Sequence, residues 1–317
     1  MRIPPTLRSP LTIAIIVIVV LLVAGEMISP GFASPAQLRS QLVIAAVLGF
    51  VAAGQNLVIL GGREGIDLSV GALVGLGALI AGNVMNGDNS AILTALAAAG
   101  AVSFVIGLIN GLGVTLIRIP PLVMTLGMAG VIQGVLVWLT SGQPSGNAAP
   151  ALTSFITQPL IAGVPGVLFA WLALGAVLAV MLTRTRLGLN IYAIGTNEEA
   201  ARLAGVPVVF TRALLFGLSG LFAGLAGFLI LGYTVNVFVG VGNQYVLPSV
   251  IAVVIGGTSL GGGAGRYTGT MAGAIILILL QSILTTLAIE PFGRQIIFGA
   301  TLLVLMFVYG RQRRLRA

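Results

Sequence analysis

The chain is a succession of long, uncharged apolar runs joined by short polar links, and that alternation limits what it can fold into. About 20 apolar residues in a helix cross the hydrocarbon of a bilayer. In lipid every backbone N–H and C=O needs an internal partner, so such runs must be helical. Read in order, the candidate spans are 11–28, 41–60, 70–85, 91–117, 122–139, 166–182, 213–232, 247–260, 267–289 and 295–309. Charged residues make up 7% of the 317, against roughly 25% in soluble domains. Too little polar surface exists to cover a soluble globule. The expected fold is an all-α membrane protein, a polytopic bundle of about ten transmembrane helices in a single domain, 1–317. The first apolar core is longer than that of a signal peptide, and no small-residue cleavage site follows it, so it reads as an uncleaved span.

The arginines orient the bundle. Ten spans place both termini on one side. With both termini cytoplasmic, the inside residues are Arg2, Arg8, Arg63, Arg118, Arg184, Arg186, Arg202, Arg212, Arg266, Arg311, Arg313, Arg314 and Arg316, and only Arg39 and Arg294 fall outside. Basic residues concentrate in cytoplasmic loops, so this orientation is the expected one. It makes cytoplasmic features of the lead at 1–10, the polar link at 183–212 and the basic tail at 310–317. The net charge of +8 is then explained by topology. No basic patch alternates with aromatic residues, so nucleic acid is not an expected partner.

Cysteine and histidine are both absent. Thiolate nucleophiles, imidazole bases and histidine-bound metals are therefore excluded. With seven acids and no catalytic set of carboxylates, Ser/His or metal ligands legible at one cavity, an intramembrane enzyme is not expected. The glycine cluster at 261–266 could cradle a phosphate, but a nucleotide-binding loop needs a lysine, and every basic residue here is arginine.

The longest polar link, 183–212, reads as carrying a short helix. Thr196 with Glu199 fits a capping box, and Asn197 offers the alternative cap. Glu198 and Glu199 fall in the first turn, where the helix dipole favours acids. Ala200, Ala201, Arg202 and Leu203 continue the helix, and Gly205 followed by Pro207 stops it. A second irregular place is 61–75. Gly61, Gly62 and Gly65 break the helix there, and Asp67 and Ser69 can cap a new one at Val70. Asp67 reads either as an N-cap beside a re-entrant turn or as a substrate or ion ligand, since irregular backbone at membrane depth needs protein or a water-filled cavity beside it. Gln55 and Asn56, adjacent in the second span, read either as hydrogen-bonding glue between helices or as candidate lining of a path. Gly220, Gly224 and Gly227 have the spacing of a helix-packing face. The string Val58–Gly62 faintly echoes Val253–Gly257.

Apart from Glu26 near a span end and Asp67 beside a turn, no acid is expected within a span. Ion-coupled transport usually leaves ionisable groups there, so an energy source acting through the cytoplasmic helix fits better.

Three ordered segments carry a family resemblance. They are GIDLSVGALVGLGALIAG (65–82), RTRLGLNIYAIGTNEEAARLAGVP (184–207) and VIAVVIGGTSLGGGAGRYTGTMAGA (250–274). They resemble the ribose-type sugar permeases of bacterial ATP-binding-cassette importers, within the branched-chain amino acid/ribose permease superfamily. The resemblance runs from about residue 40 to 310. It implies a subunit of the bacterial inner membrane that forms the path for a monosaccharide; the alternatives are the same architecture carrying a nucleoside, a branched-chain amino acid or a signalling furanone, or a gradient-driven transporter. It also implies a cassette ATPase that holds ATP and Mg, a soluble sugar-binding protein, and a second permease copy, identical or paralogous. No cofactor is expected in this chain. By resemblance Asn197–Gly205 couples to the ATPase, and Gly65, Ile66, Asp67, Leu68, Ser69 and Gly71 form the family's signature loop. Where the family commonly has LTGGIDLS, this chain has LGGREGIDLS, so Arg63 and Glu64 are extra charges beside the signature.

Overall fold

The computed structural model describes residues 10–62, 65–238 and 240–314. Most of the lead, the Arg63–Glu64 pair and the last three residues of the tail lie outside the described residues.

Every expected apolar run contains a helix. In order these are α1 (Pro10–Ile28), α2 (Pro35–Leu60), α3 (Val70–Met85), α4 (Ile92–Thr115), α5 (Pro121–Thr140), a short α6 (Pro150–Thr157), α7 (Gly166–Arg184), α8 (Arg186–Thr196), α9 (Glu198–Leu203), α10 (Val208–Thr234), α11 (Val246–Ile255), α12 (Tyr267–Thr286) and α13 (Pro291–Arg314). Two short antiparallel strands, β1 (Pro159–Ile161) and β2 (Val164–Pro165), form a small hairpin after α6. The uncharged link at 140–165 thus carries short structure of its own. Among the described residues six helices are long and apolar enough to cross a membrane: α2, α5, α7, α10, α12, and α4 with its preceding turn.

Two expected spans are shorter than a bilayer. α3 has 16 residues and α11 only 10, about 24 and 15 Å at 1.5 Å per residue, against roughly 30 Å of hydrocarbon. The expected eighth span at 247–260 is therefore corrected: its helix ends at Ile255, and 256–266 is a glycine turn. The cause is local. Gly257 takes φ +84°, its N–H on the Val254 carbonyl and the Thr258 N–H on the Val253 carbonyl, which closes the helix; Gly262, Gly263 and Gly265, also at positive φ, keep the following segment irregular.

The two short helices begin side by side. A Cβ on Gly71, at the start of α3, would strike the Val246 side chain at the start of α11, and it would lie 3.0 Å from the Gly242 carbonyl. The segment leading to α11 runs back along α3, with Val237 beside Gly82 and Gly242 beside Gly71. The segment leading to α3 runs back along α2, where Asp67 lies level with Gln55. Each short helix is thus entered by a re-entrant segment, one from each end of the bundle.

α2 and α10 form the enclosed centre, whereas α5 lies at the periphery, with Thr125 and Ile132 its buried residues. α10 packs mainly against α4, α3 and α2. The packing is glycine against backbone. A Cβ on Gly220 would collide with the Ser103 carbonyl, one on Gly227 with the Val74 carbonyl, and one on Gly107 with the Phe216 carbonyl. The stripe 220/224/227 is therefore a packing face, as its spacing indicates.

Candidate functional site

Two places could carry function, and they lie at different depths. The first is the polar link between α7 and α10, which folds into two helices where one was expected. α8 is capped by Thr185, whose hydroxyl accepts from the Gly188 N–H at 3.2 Å. Its apolar residues Leu187, Ile191 and Ile194 recur at helical spacing, and this period is the signal that the sequence reading missed. Thr196 is the last residue of α8, and its hydroxyl donates to the Tyr192 carbonyl at 2.8 Å. It therefore does not cap the next helix, which corrects the capping-box reading. Asn197 is the cap of α9, its side-chain oxygen accepting from the Ala200 N–H at 3.1 Å.

α9 ends as expected. Gly205 adopts φ +82°, its N–H reaches the Arg202 carbonyl, and the Val206 N–H reaches Ala201, each at 3.0 Å. This paired closure favours glycine at the left-handed position. Ala201 is buried with Ile194 and Val208, so α9 sits on α8 and on the start of α10. Glu198 accepts from Arg202 within α9 and from Arg212 on α10, both at 3.0 Å. The Arg202 pair is exposed, so its value is modest. The Arg212 pair ties α9 to the central helix. Glu199, Ala200, Arg202 and Leu203 face outward, Leu203 being 83% exposed.

Behind α9 the link meets the glycine turn. Gly195 has no room for a Cβ, which would strike the Leu60 carbonyl and the Gly263 backbone. The Gly263 N–H donates to Leu60 at 3.0 Å, and the Tyr192 hydroxyl donates to the Gly265 carbonyl at 2.8 Å. The cluster 261–266 is therefore a backbone seat where α8, the end of α2 and the exit of α11 converge. Of the two echoing strings, 58–62 meets the turn that follows the other, Gly62 lying beside Gly262.

The second place is the signature loop. Asp67 is fully buried, and Ser219, its partner on α10, lies roughly 16 Å along that helix from Val208. One Asp67 oxygen accepts from the Ser69 N–H at 2.9 Å and the Ser69 hydroxyl at 2.5 Å, the other from the Ser219 hydroxyl at 2.8 Å. Asn110 on α4 donates to the Ser69 hydroxyl at 2.9 Å, and Thr125 on α5 accepts from the Leu68 N–H at 3.0 Å. With its amide nitrogen on the Asp67 carbonyl, Gln55 pairs with the Asp67 backbone in both directions, each at 3.2 Å. Five helices are joined through one loop.

Asp67, expected beside a turn, is thus carried to depth by the re-entrant segment and held there by hydrogen bonds. The capping detail is corrected: Ser69 is the N-cap residue of α3 but makes no side-chain cap, and its side chain serves Asp67 instead. Gly65 and Gly71 are required by contact, Gly65 against the Val58 carbonyl and Gly71 against Gly242. Ile66 and Leu68 are half-buried beside them.

Gln55 and Asn56 divide their work. Gln55 holds the segment entering α3. Asn56 donates to Thr258 and Thr270, at 2.8 and 3.0 Å, and so holds the segment leaving α11. Both are fully buried, and the geometry is that of glue between helices.

Fold and site together define a class, a multi-pass membrane protein with a small braced helix outside the bundle and a hydrogen-bonded break within it. The family model described as "Branched-chain amino acid transport system / permease component" matches residues 37–306, and the chain belongs to that family. It is a transport subunit rather than an enzyme. It is 34% identical to the ribose import permease protein of Escherichia coli (strain K12) over 313 residues, 95% of this chain and 94% of the relative. It is 31% identical to the ribose import permease protein of Bacillus subtilis (strain 168), covering 90% and 88%. The autoinducer 2 import system permease protein of Escherichia coli (strain K12 / DH10B) is 31% identical, covering 95% and 86%.

Proposed function

We propose that this chain is the permease subunit of an ATP-driven importer and forms the path for a monosaccharide of the ribose type. The similarity to two ribose import permeases over nearly the whole chain carries this reading. A soluble binding protein delivers the sugar, a separate cassette ATPase binds ATP and Mg, and a second permease copy completes the path. The whole chain acts as one permease domain in a bacterial inner membrane, and needs no cofactor of its own.

In this reading the chain crosses ten times, with both termini cytoplasmic. α3 and α11 complete the third and eighth crossings together with their re-entrant segments. The grouping of arginines supports it. Arg118, Arg202 and Arg212 line one groove, whereas Arg294 bonds Thr285 at the far end of α12. Reporter fusions after Arg186 should read cytoplasmic, and fusions within 140–165 extracytoplasmic. The reverse pattern would overturn the orientation.

α9 is the element that contacts the ATPase. Its cap, its closing glycine and its Arg212 tether make it rigid, so a push on it reaches α10. Replacing Glu199 or Arg202 by alanine is expected to lower transport-linked ATP hydrolysis while expression is unchanged. Hydrolysis at the original level in both variants would remove this role.

Solute identity is tested on the binding protein encoded beside this chain, by thermal shift against pentoses, hexoses, nucleosides and branched-chain amino acids. Stabilisation by a pentose supports the reading. The similarity to an autoinducer 2 permease favours one second reading, the same architecture importing that signal, and stabilisation by autoinducer 2 alone would establish it.

A further inference from the structure

Beside α9 lies a groove of about 680 Å³ whose other lip is the turn between α4 and α5. The turn contributes Leu116, Arg118 and Pro120, α9 contributes Glu199 and Arg202, and Arg212 of α10 forms the floor. We propose that this groove is a second seat for the ATPase, which is gripped between α9 and the α4–α5 turn. The proposal rests on α9 being the ATPase contact and adds the opposite lip to it.

The backbone of the turn is the first argument. Arg118 holds φ +63°, the left-handed region that disfavours residues with a side chain. Glycine is the default residue for such a position. This chain has 45 glycines, yet an exposed arginine stands here. The turn closes through its backbone, with the Ile119 N–H on the Gly113 carbonyl at 3.3 Å. That closure uses the backbone alone, and the Arg118 side chain is left lining the lip.

Charge is the second argument. Glu198 is taken up by both Arg202 and Arg212. That leaves Arg118 on one lip and Glu199 on the other without an ion-pair partner among the described residues. The complementary surface is an ATPase element that presents an acid to Arg118 and a base to Glu199. Leu116, 63% exposed beside Arg118, and Leu203, 83% exposed beside Arg202, supply apolar contact on either side.

Mechanics make the arrangement useful. One contact on a short helix transmits a push but leaves rotation free. Two lips fix orientation as well, and they belong to α4 and to the α9–α10 unit, whose helices α4 and α10 pack most extensively on one another. A motor element turning in the groove would move those two bodies relative to one another.

The absence of native cysteine permits single-site probes. Leu203→Cys and Leu116→Cys, each carrying a benzophenone maleimide, are photolysed in the assembled importer. ATPase adducts from both positions are expected. Adducts from position 203 with none from 116, or adducts from 116 only to lipid or to the second permease copy, overturn the two-lip seat and leave the α9 contact standing. Adducts from neither overturn both. The companion variant is Arg118→Gly, which relieves the backbone strain. Its thermal stability should be equal or higher, while affinity for the ATPase falls about tenfold at low salt and less at high salt. Unchanged affinity would mean that the arginine serves only the turn, and the proposal fails.

Discussion

Asp67→Ala is expected to leave little folded protein in the membrane, whereas Asp67→Asn should insert and fold. The carboxylate accepts from one N–H and two hydroxyls, in a site from which water is excluded. Alanine orphans the Ser69 N–H and leaves both serine hydroxyls without an acceptor. Each buried orphan costs about 1–3 kcal/mol, so the total is a large share of a typical stability of about 5–15 kcal/mol. Asparagine behaves differently. Its carbonyl can accept both Ser69 donors, and its NH₂ faces a Ser219 hydroxyl that can turn to accept. The measurement is the monodisperse fraction after detergent extraction, with sugar uptake in vesicles. Equal yields for the two variants would show that the network is dispensable for folding. A well-folded Asp67→Asn protein without transport would show that the charge itself is used during the cycle.

The second large effect is expected at Gly220. A Cβ there meets the Ser103 carbonyl of α4, a backbone atom that cannot rotate aside. Gly220→Leu must therefore separate α10 from α4. That separation also opens the contacts at Gly107, Gly111 and Gly224, each seated on backbone or side-chain atoms of the partner helix. Overpacking usually costs about 1–3 kcal/mol, and a collision with backbone belongs at or above the top of that range. A large fall in unfolding temperature in detergent is expected. Gly130→Leu on α5 is the control. It has open space around it, so its stability should be close to that of the original protein. Comparable losses at the two positions would refute the close-packed α4–α10 face.

Helix positions were largely legible from the chain alone. Apolar runs with no backbone partner in lipid can only be helices, and each expected run holds one. The cap and stop of α9 were legible for a different reason: Asn197, Glu198 and Gly205 act within a few residues of themselves. α8 was missed because its start is marked by Thr185, inside what reads as a featureless polar link. The length of α11 was misjudged because the uncharged sequence continues to Leu260, although Gly257 turns the backbone earlier.

Site geometry was much less legible. Asp67 sits in a glycine-rich string that could equally end at the membrane surface. Only the return of that string along α2, and the approach of Ser219 from a helix far along the chain, carry it to depth. Gln55 and Asn56 are adjacent in sequence and look equivalent, yet they hold opposite halves of the molecule. Arg118 looks like one more cytoplasmic charge until its φ and its groove are known.

The sequence by itself determined the solvent, the helices and the capped α9, because hydropathy and capping are local or additive properties of the chain. The tertiary structure alone decided that two short helices begin side by side, that a carboxylate lies buried at depth, and that a groove opens beside α9. Those depend on which distant backbones approach within a glycine's reach, and no local property of the chain specifies that.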